Sequence, residues 1–333
     1  MTQRYRYRKR KVIKKESVMT KFKNWSISIL LAGAMLFGLQ SYSSTASLKF
    51  AQVSDAHFYT GANNTTYKMV GESPKLLDDV IEQINETPNV SFVMFTGDQI
   101  DKPFEKELSA FLPHTEKLNV PWYFAFGNHD TMYGGYLTPR VYMDLVNNYN
   151  KNYKFEKSYY SFVPQKGYKA IVLDTIIRDR LTANGKLGDE QLQWLDNELA
   201  NSKKDTTVLI FMHVPILEPF NSPNHRLLDA DKAEEILNKY NNPIAVFQGH
   251  YHGAKITQKN NILYVSCPSM VTYPNAFRMI TVTNYRNKVV FNIQNKETNL
   301  KNVQKLAKLL VFGTTIYSGE AKDQNATITI EKK

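Results

Sequence analysis

The sequence has few of the residues that build disulfide frameworks, fibres or repetitive chains. Its single cysteine among 333 residues, Cys267, excludes a disulfide-bonded scaffold and a zinc site made of thiolates. Any metal ion would therefore be bound by histidine, carboxylate or amide groups. Fifteen glycines and 13 prolines are too few for a collagen-like or low-complexity chain. Hydrophobic residues make up 42% of the chain, which is enough for one large globular core or two smaller ones.

Acidic residues are nearly missing from the N-terminal segment. Residues 1–24 contain ten Lys and Arg and one acid, Glu16, and so carry +9 of the net charge of +11. This leaves +2 for the rest, so the body of the protein is close to neutral. One hypothesis is a nucleic-acid-binding protein that uses this basic tail, but the tail is its only support. We expect no nucleic-acid partner.

An uncharged apolar stretch, residues 25–39, follows the basic segment. Fifteen residues are short for a membrane-spanning helix and typical of the core of a signal peptide. Small residues follow and fit cleavage after Ala46. We predict that residues 1–46 are a basic region plus a signal peptide, with translation starting at Met1 or Met19. The mature protein would be exported to the periplasm, the medium or the outer face of the cytoplasmic membrane. The alternative is an uncleaved membrane anchor, which is the only membrane contact expected.

Apolar runs alternate with helical patterns from residue 47 onward. Strands are predicted at residues 48–53, 90–95, 122–126, 169–173, 207–212, 244–247, 262–265, 277–282, 289–293 and 326–330. Helices are predicted after the Ser73-Pro74 pair and over residues 189–200, 231–240 and 301–310. The last of these is basic and amphipathic, and its lysines are expected to face solvent. A first part of alternating strands and helices and a strand-rich second part predict one α/β domain over residues 47–333, with two sheets.

Polar side chains follow five of these strands, at the point where each strand ends. The loops read Ser54-Asp55-Ala56-His57, Thr96-Gly97-Asp98-Gln99-Ile100-Asp101, Gly127-Asn128-His129-Asp130, His213-Val214-Pro215 and Gln248-Gly249-His250-Tyr251-His252. In an open α/β sheet, loops after the carboxyl ends of the strands line the ligand cleft. Five of the seven histidines lie in these loops, and His114 and His225 do not.

These loops carry the residue types that bind transition metals. The candidate ligands are too many for one ion and enough for two: Asp55, His57, Asp98, Asn128, His213, His250 and His252. Imidazole nitrogens with carboxylate and amide oxygens suit Mn, Fe or Zn. A carboxylate such as Asp98 can bridge two ions about 3.5–4 Å apart, which polarise a phosphoryl group and create hydroxide at neutral pH. Each motif alone also fits a turn or a packed histidine, but the ordered set predicts a dinuclear metal site.

The five blocks, in this order, resemble the calcineurin-like metallophosphoesterases, whose pattern is D-x-H, G-D-x-x-D, G-N-H-D/E, a lone H and G-H-x-H. The resemblance runs from residue 48 to about residue 293. Residues 159–162, 173–175 and 188–195 look like the branch that contains class III cyclic-nucleotide phosphodiesterases and purple-acid-phosphatase-like enzymes. The resemblance implies an α/β fold in which a β-sandwich of two mixed sheets is flanked by helices.

The resemblance also implies a role for each matching residue. The first metal ion would be held by Asp55, His57 and His252, the second by Asn128, His213 and His250, with Asp98 bridging the two. His129 would face the substrate, where it stabilises the phosphoryl oxygens or protonates the leaving group, and Asp130 would orient His129. Asp101 is expected in a turn or cap behind the site rather than as a ligand.

The leading hypothesis is an exported, metal-dependent hydrolase of small phosphoesters. A hydroxide that bridges two divalent or trivalent ions (Mn, Fe or Zn) would attack phosphorus in line with the leaving oxygen. The expected substrate is a small phosphodiester such as a cyclic nucleotide, and a phosphomonoester is the alternative. A further hypothesis is a non-catalytic scaffold that keeps the metals for structure.

Substrate choice is expected to depend on loops over residues 58–72, 131–158 and 216–230. The tyrosines of residues 131–158 are expected to pack on the sandwich as an aromatic-rich lid. Stacking on a base, with Arg140 on a phosphate, is the alternative. Cys267 is expected to be a core residue rather than a nucleophile.

Overall fold

Two six-stranded mixed sheets form the framework of the computed structural model, which describes residues 46–333. The first sheet has the order β12-β11-β10-β1-β2-β3 and the second the order β4-β5-β6-β7-β9-β8. The strands of the first sheet are β1 (Ala46–Val53), β2 (Phe92–Thr96), β3 (Trp122–Ala125), β10 (Ala276–Asn284), β11 (Lys288–Glu297) and β12 (Asn325–Glu331). Those of the second are β4 (Tyr160–Phe162), β5 (Tyr168–Val172), β6 (Thr207–Phe211), β7 (Ile244–Gln248), β8 (Lys255–Lys259) and β9 (Ile262–Ser266).

Parallel pairing brings strand ends together at one edge of each sheet. Strands β1, β2 and β3 are parallel neighbours, and so are β5, β6, β7 and β9. Their central members are continuous apolar runs, as in sheets covered on both faces. The ring of Phe50 in β1 meets Phe211 and Phe247 of the other sheet edge-on, with ring centroids 5.5 and 5.1 Å apart. The two sheets therefore share one aromatic core.

Helices lie between and after the strands. They are α1 (Ser73–Glu86), α2 (Glu105–Thr115), α3 (Pro139–Tyr149), α4 (Gly188–Ala200), α5 (Ala230–Asn238), α6 (Lys301–Leu310), α7 (Thr314–Ser318) and α8 (Ala321–Gln324). Helix α1 buries its apolar residues at the predicted helical spacing. It begins one residue earlier than predicted, because the Ser73 hydroxyl donates to the carbonyl of Val70 instead of capping the helix.

The predicted α/β architecture of two mixed sheets flanked by helices is confirmed. The ten predicted strands and four predicted helices are all present within about two residues of their expected bounds, except that β11 continues to Glu297, four residues beyond its predicted end. Strands β4 and β8 and helices α2, α3, α7 and α8 were not predicted. Of the described residues, none lies in a helix long and apolar enough to cross a bilayer. The predicted signal or anchor segment lies outside the described residues.

The prediction of a loop over residues 131–158 is wrong in its middle, where α3 forms. Thr138 accepts a hydrogen bond from the amide of Val141 and Pro139 occupies the first turn, which together start the helix. The buried ring of Tyr142 lies 5.3 Å from the ring of Phe124 and 5.1 Å from that of Phe126. This tyrosine therefore packs on the sandwich and is not available to stack on a base. Arg140 is exposed on the outer face of α3.

Cys267 lies in the core, as predicted, and this gives a first testable prediction. Its side chain is 0% exposed, its thiol contacts the carbonyl of Gln52, and burial raises the pKa of the thiol to about 12. We expect the folded protein to resist an aromatic disulfide reagent, because the reactive species is the exposed thiolate. The same sample in denaturant should react with one equivalent. Rapid stoichiometric labelling of the native protein would contradict a core position.

Candidate functional site

All seven predicted metal ligands meet where the strands β1, β2, β3, β6 and β7 end. Two groups of three side chains each have their ligand atoms within 4.8 Å of one another: Asp55, His57 and His252, and Asp98, His213 and His250. All six are buried. The seventh predicted ligand, Asn128, is half-buried beside the second group. The five loops that the sequence singled out therefore form one site.

In the first group, nitrogen and oxygen atoms face a common centre. Nε2 of His57 lies 3.2 Å from Nε2 of His252, and this second nitrogen lies 3.4 Å from Oδ1 of Asp55. Two imidazole nitrogens that share no proton repel each other at this distance, and a cation between them removes the repulsion. The donor set therefore fits a metal ion of the borderline type.

In the second group, Nε2 of His213 is the central atom. It lies 3.1 Å from Nδ1 of His250, 3.1 Å from the amide oxygen Oδ1 of Asn128 and 3.4 Å from Oδ2 of Asp98. The combination of two imidazoles, an amide oxygen and a carboxylate again matches a transition-metal site.

Asp98 connects the two groups. Its Oδ2 atom lies 3.5 Å from Nε2 of His57 and 3.4 Å from Nε2 of His213. Its other oxygen, Oδ1, accepts a hydrogen bond of 2.8 Å from the backbone amide of His129. One carboxylate oxygen is thus fixed by the backbone while the other faces both groups, which is the arrangement a bridging ligand needs.

Groups behind the histidines fix which ring nitrogen faces the centre. Nδ1 of His213 lies 2.9 Å from the carbonyl of Thr96, and Nδ1 of His252 lies 2.7 Å from Oγ1 of Thr272. A carbonyl only accepts, so Nδ1 of His213 carries a proton and Nε2 is the ring nitrogen that faces the centre. Such outer partners orient metal ligands and raise their basicity.

The Thr272 contact gives a second prediction. Thr272→Val keeps the shape of the side chain but removes the hydroxyl that holds His252. We expect metal affinity to fall by about 10-fold or more, measured by titration of the metal-free protein. Thr329→Val, in the exposed part of β12, is the matched control. Equal metal affinity in the two variants would show that Thr272 does not support the site.

The backbone of the site is strained at most of its ligands. Five of them lie in the left-handed region of φ, between 39° and 72°: Asp55, His57, Asp98, His250 and His252. Each such residue costs about 1–3 kcal/mol and persists only where the surrounding fold enforces it. Gly97, with φ of 90°, allows the turn before Asp98, and a Cβ there would overlap the ring of His213. The ligand side chains therefore converge because the chain turns sharply off its strands.

Burial and the shared carboxylate set the charges in the site. Burial alone would raise the pKa of Asp98, but the neighbouring histidines, His213 first, hold it well below its usual range. Burial alone would lower the pKa of His213, but the charge and hydrogen bond of Asp98 raise it to about 9. Burial holds the pKa values of His57, His250 and His252 below that of a free histidine. These three rings therefore favour the neutral form that binds metals.

His129 lies at the side of the first group. Its half-buried ring is edge-on to that of His57, with centroids 4.6 Å apart. Its Nδ1 donates a 2.7 Å hydrogen bond to the carbonyl of Asp101, which leaves Nε2 available for other partners. The carboxylate of Asp101 lies 3.2 Å from Nδ1 of His57. Asp101 thus contacts two histidines, and with them it forms a third group whose ligand atoms lie within 4.8 Å of one another.

The structure corrects the expected role of Asp130. Its buried carboxylate accepts hydrogen bonds from the amides of Gly127, at 2.8 Å, and Ile100, at 3.1 Å. The partner that orients His129 is the Asp101 carbonyl instead. Asp130 therefore ties two of the loops together, because free backbone amides in both loops point at its carboxylate. Burial, followed by the charge of Asp98, raises its pKa well above the usual range.

Two residues that sequence reasoning did not place in the site lie next to it. The ammonium of Lys68 is 3.2 Å from Nε2 of His57. The ring of His225 is 5.2 Å from that of His250, and its Nδ1 is 2.7 Å from the hydroxyl of Ser222. Both belong to segments expected to contact substrate, but neither follows a strand, so position along the chain gave no signal. His114 stays outside the cleft, paired with Asp78.

Known proteins share this sequence pattern and fold. A probable glycerophosphodiester phosphodiesterase of Arcobacter nitrofigilis is 26% identical over 232 residues, which cover 66% of this chain and 77% of that protein. A probable cyclic nucleotide phosphodiesterase of Colwellia psychrerythraea is 24% identical over 214 residues, covering 62% and 72%. The crystal structure of a dimetal phosphatase from Danio rerio has the same fold, with a TM-score of 0.61 at 16% identity over 85% of this chain and 99% of that one.

The family assignment depends on a match that spans most of the described fold. The family model for calcineurin-like phosphoesterases matches residues 48–254, from β1 to the loop that holds His250 and His252. The match covers more than half of the chain, including each of the five polar loops. The chain therefore belongs to the calcineurin-like phosphoesterase family and is a metallophosphoesterase.

Proposed function

We propose that this enzyme hydrolyses small phosphodiesters at a site for two metal ions. The observation that carries the proposal is the position of Asp98, with one carboxylate oxygen within 3.5 Å of a histidine nitrogen in each group. In this proposal Asp98 would be a ligand of both ions. Asp55, His57 and His252 would hold the first ion, and Asn128, His213 and His250 the second.

Two bound metal ions supply Lewis acidity and a nucleophile that is ionised at neutral pH. The remaining work falls to side chains. With Nδ1 held by the Asp101 carbonyl, Nε2 is the free nitrogen of His129, and the ring as an imidazolium can donate from Nε2 to a phosphoryl oxygen or to the leaving oxygen. The half-buried ammonium of Lys68 adds positive charge at the same place, which favours an anionic substrate.

The preference for diesters is supported by the relatives, two of which are named as phosphodiesterases acting on glycerophosphodiesters or cyclic nucleotides. Phosphomonoesters are the alternative class, since the Danio rerio protein of the same fold is named a phosphatase. Both classes present the charged phosphoryl oxygens that His129 and Lys68 would contact. The identity of the alcohol group depends on the loops around the cleft.

The test is hydrolysis by the metal-stripped enzyme after Mn²⁺, Fe²⁺ or Zn²⁺ is returned in turn. We expect turnover of bis-p-nitrophenyl phosphate to require added metal and to exceed turnover of p-nitrophenyl phosphate. A reversed ratio would move the assignment to a phosphomonoesterase. A protein that binds two ions per chain and hydrolyses neither compound would support the scaffold hypothesis instead.

We also propose that the enzyme acts outside the cytoplasm. The support is the apolar core of residues 25–39 and the small residues before Ser47. Expression of the full chain in a bacterium should yield a mature protein that begins at Ser47, as read by N-terminal sequencing. A mature protein that retains residues 25–39 in the membrane fraction would favour the anchor.

A further inference from the structure

Large apolar side chains are exposed in one short segment near the end of the chain. Leu306, Leu309, Leu310, Phe312 and Ile316 have 43%, 82%, 41%, 95% and 50% of their surface exposed. These are five of the eleven exposed large hydrophobic residues in residues 46–333, and they fall within eleven consecutive positions. Single exposed apolar residues are ordinary, but a cluster indicates a contact surface.

The exposure follows from how α6 packs. Helix α6 is held to the body by Ala307, which is buried in the core, by Val303, which packs against the core, and by the buried Gln304. The amide of Gln304 donates to the carbonyls of Pro274, at 3.2 Å, and Thr298, at 3.0 Å. Leu306, Leu309 and Leu310 lie outside these contacts and remain in solvent.

The same segment is positively charged. Residues 298–319 contain Lys301, Lys305 and Lys308 and no Asp or Glu. The three lysines are exposed, with Lys301 3.5 Å from Glu297 just outside the segment. Lysines beside exposed leucine and phenylalanine side chains are the composition of elements that lie in the interface of a membrane.

We propose that residues 301–316, which we call the C-terminal patch, dock the enzyme on the surface of an anionic lipid bilayer. Leu309 and Phe312, the two most exposed apolar residues of the patch, enter the boundary between headgroups and acyl chains. Lys305 and Lys308 pair with lipid phosphates. This contact is separate from the N-terminal segment and needs no helix that spans the membrane.

Charge favours a bilayer over a second copy of the chain. Two copies that met through this patch about a two-fold axis would place lysines against lysines. Phe312 lies beyond the end of α6 and is almost fully exposed, a position suited to insertion into fluid acyl chains. A parent protein that is monomeric and binds no vesicles would leave an acidic protein partner as the occupant of the patch and overturn the proposal.

The C-terminal patch adjoins the metal site. The carbonyl of Ile316 packs against Gly253, the residue after His252, and the carbonyl of Tyr317 accepts from the amide of Ala254 at 2.9 Å. The ring of Tyr317 stacks on Tyr67 at 6.0 Å. Docking would therefore hold this rim of the cleft near the lipid surface.

The experiment measures sedimentation of the protein with lipid vesicles. Residues 46–333 belong to one compact unit, so the chain from Ser47 is used and residues 25–39 are left out. We expect the protein to bind vesicles made of about equal amounts of phosphatidylglycerol and phosphatidylcholine. Binding to vesicles of phosphatidylcholine alone should be at least about 10-fold weaker, and high salt should abolish binding to the anionic vesicles.

Two double variants divide the apolar and ionic contributions. Leu309→Ser with Phe312→Ser should abolish vesicle binding, and Lys305→Gln with Lys308→Gln should remove the preference for anionic lipid. Leu181→Ser with Val163→Ser, exposed apolar residues elsewhere, is the matched control and should bind as the parent does. Turnover of a soluble phosphodiester should be unchanged in each variant, so a failure of docking is distinguished from a failure of the proposed reaction.

Three results would overturn the proposal. The first is that vesicle binding is missing in the parent protein. The second is that binding is equal for neutral and anionic vesicles and unaffected by either double variant. The third is a dimer in light scattering that Phe312→Ser dissociates without any binding to vesicles, which would assign the C-terminal patch to a second copy.

Discussion

Asp98→Asn is expected to remove both metal ions and to lower phosphoester hydrolysis on the order of 10³-fold or more. In the parent protein the backbone amide of His129 donates to Oδ1 of Asp98, and the amide oxygen of asparagine can still accept this hydrogen bond. It loses the negative charge that faces His57 and His213 at 3.5 and 3.4 Å. Without that charge the two groups of ligands lose their shared anionic oxygen, so neither ion is held well.

The measurement combines metal content after dialysis with turnover of bis-p-nitrophenyl phosphate. Asp144→Asn, on the exposed side of α3, is the matched control, since its carboxylate is 70% exposed and its ion-pair partner is Arg140 rather than a candidate metal ligand. Circular dichroism checks that both variants fold. Two ions per chain and undiminished turnover in Asp98→Asn would exclude Asp98 as a bridge.

The candidate metal ligands could be anticipated because each lies in a loop that begins where a strand ends. Asp55 comes after β1, Asp98 after β2 and His213 after β6, and parallel strands in each sheet place these ends at one edge. The rule for strand ends predicts that all five loops line one cleft, and the structure shows the edges of the two sheets meeting there through Asp98 and His213. Continuous apolar strands and turn-forming glycines gave both the fold class and the location of the site.

The supporting residues could not be anticipated, because their contacts join segments that are distant in sequence. Thr272 meets His252 only after the chain has passed through β9. Lys68 lies 15 residues after the end of β1, too far along the loop for the strand to fix the direction of its side chain. Asp130 sits next to His129 along the chain, yet its carboxylate turns to backbone amides of two loops. Where a tight turn reverses the backbone, two residues adjacent in sequence can point their side chains in different directions, so adjacency does not predict contact.

His129→Ala should keep both metal ions and lower kcat by about 10²–10³-fold. The backbone amide that holds Asp98 is unchanged by this substitution, so the bridge remains. What is lost is the imidazole that the Asp101 carbonyl orients at 2.7 Å through Nδ1. His114→Gln is the matched control, because His114 pairs with Asp78 outside the cleft. Loss of metal in His129→Ala would instead make this residue part of the metal site.

The dependence on the leaving group separates the two roles open to His129. If Nε2 donates its proton to the departing oxygen, the loss in His129→Ala should be larger for an alkyl phosphodiester than for bis-p-nitrophenyl phosphate, since an alkoxide needs the proton far more. If the ring only stabilises phosphoryl oxygens, the two substrates should lose the same factor. The ring is held on one side by a carbonyl and lies edge-on to His57, so it has a fixed direction and one free nitrogen. We therefore expect the larger loss for the alkyl substrate.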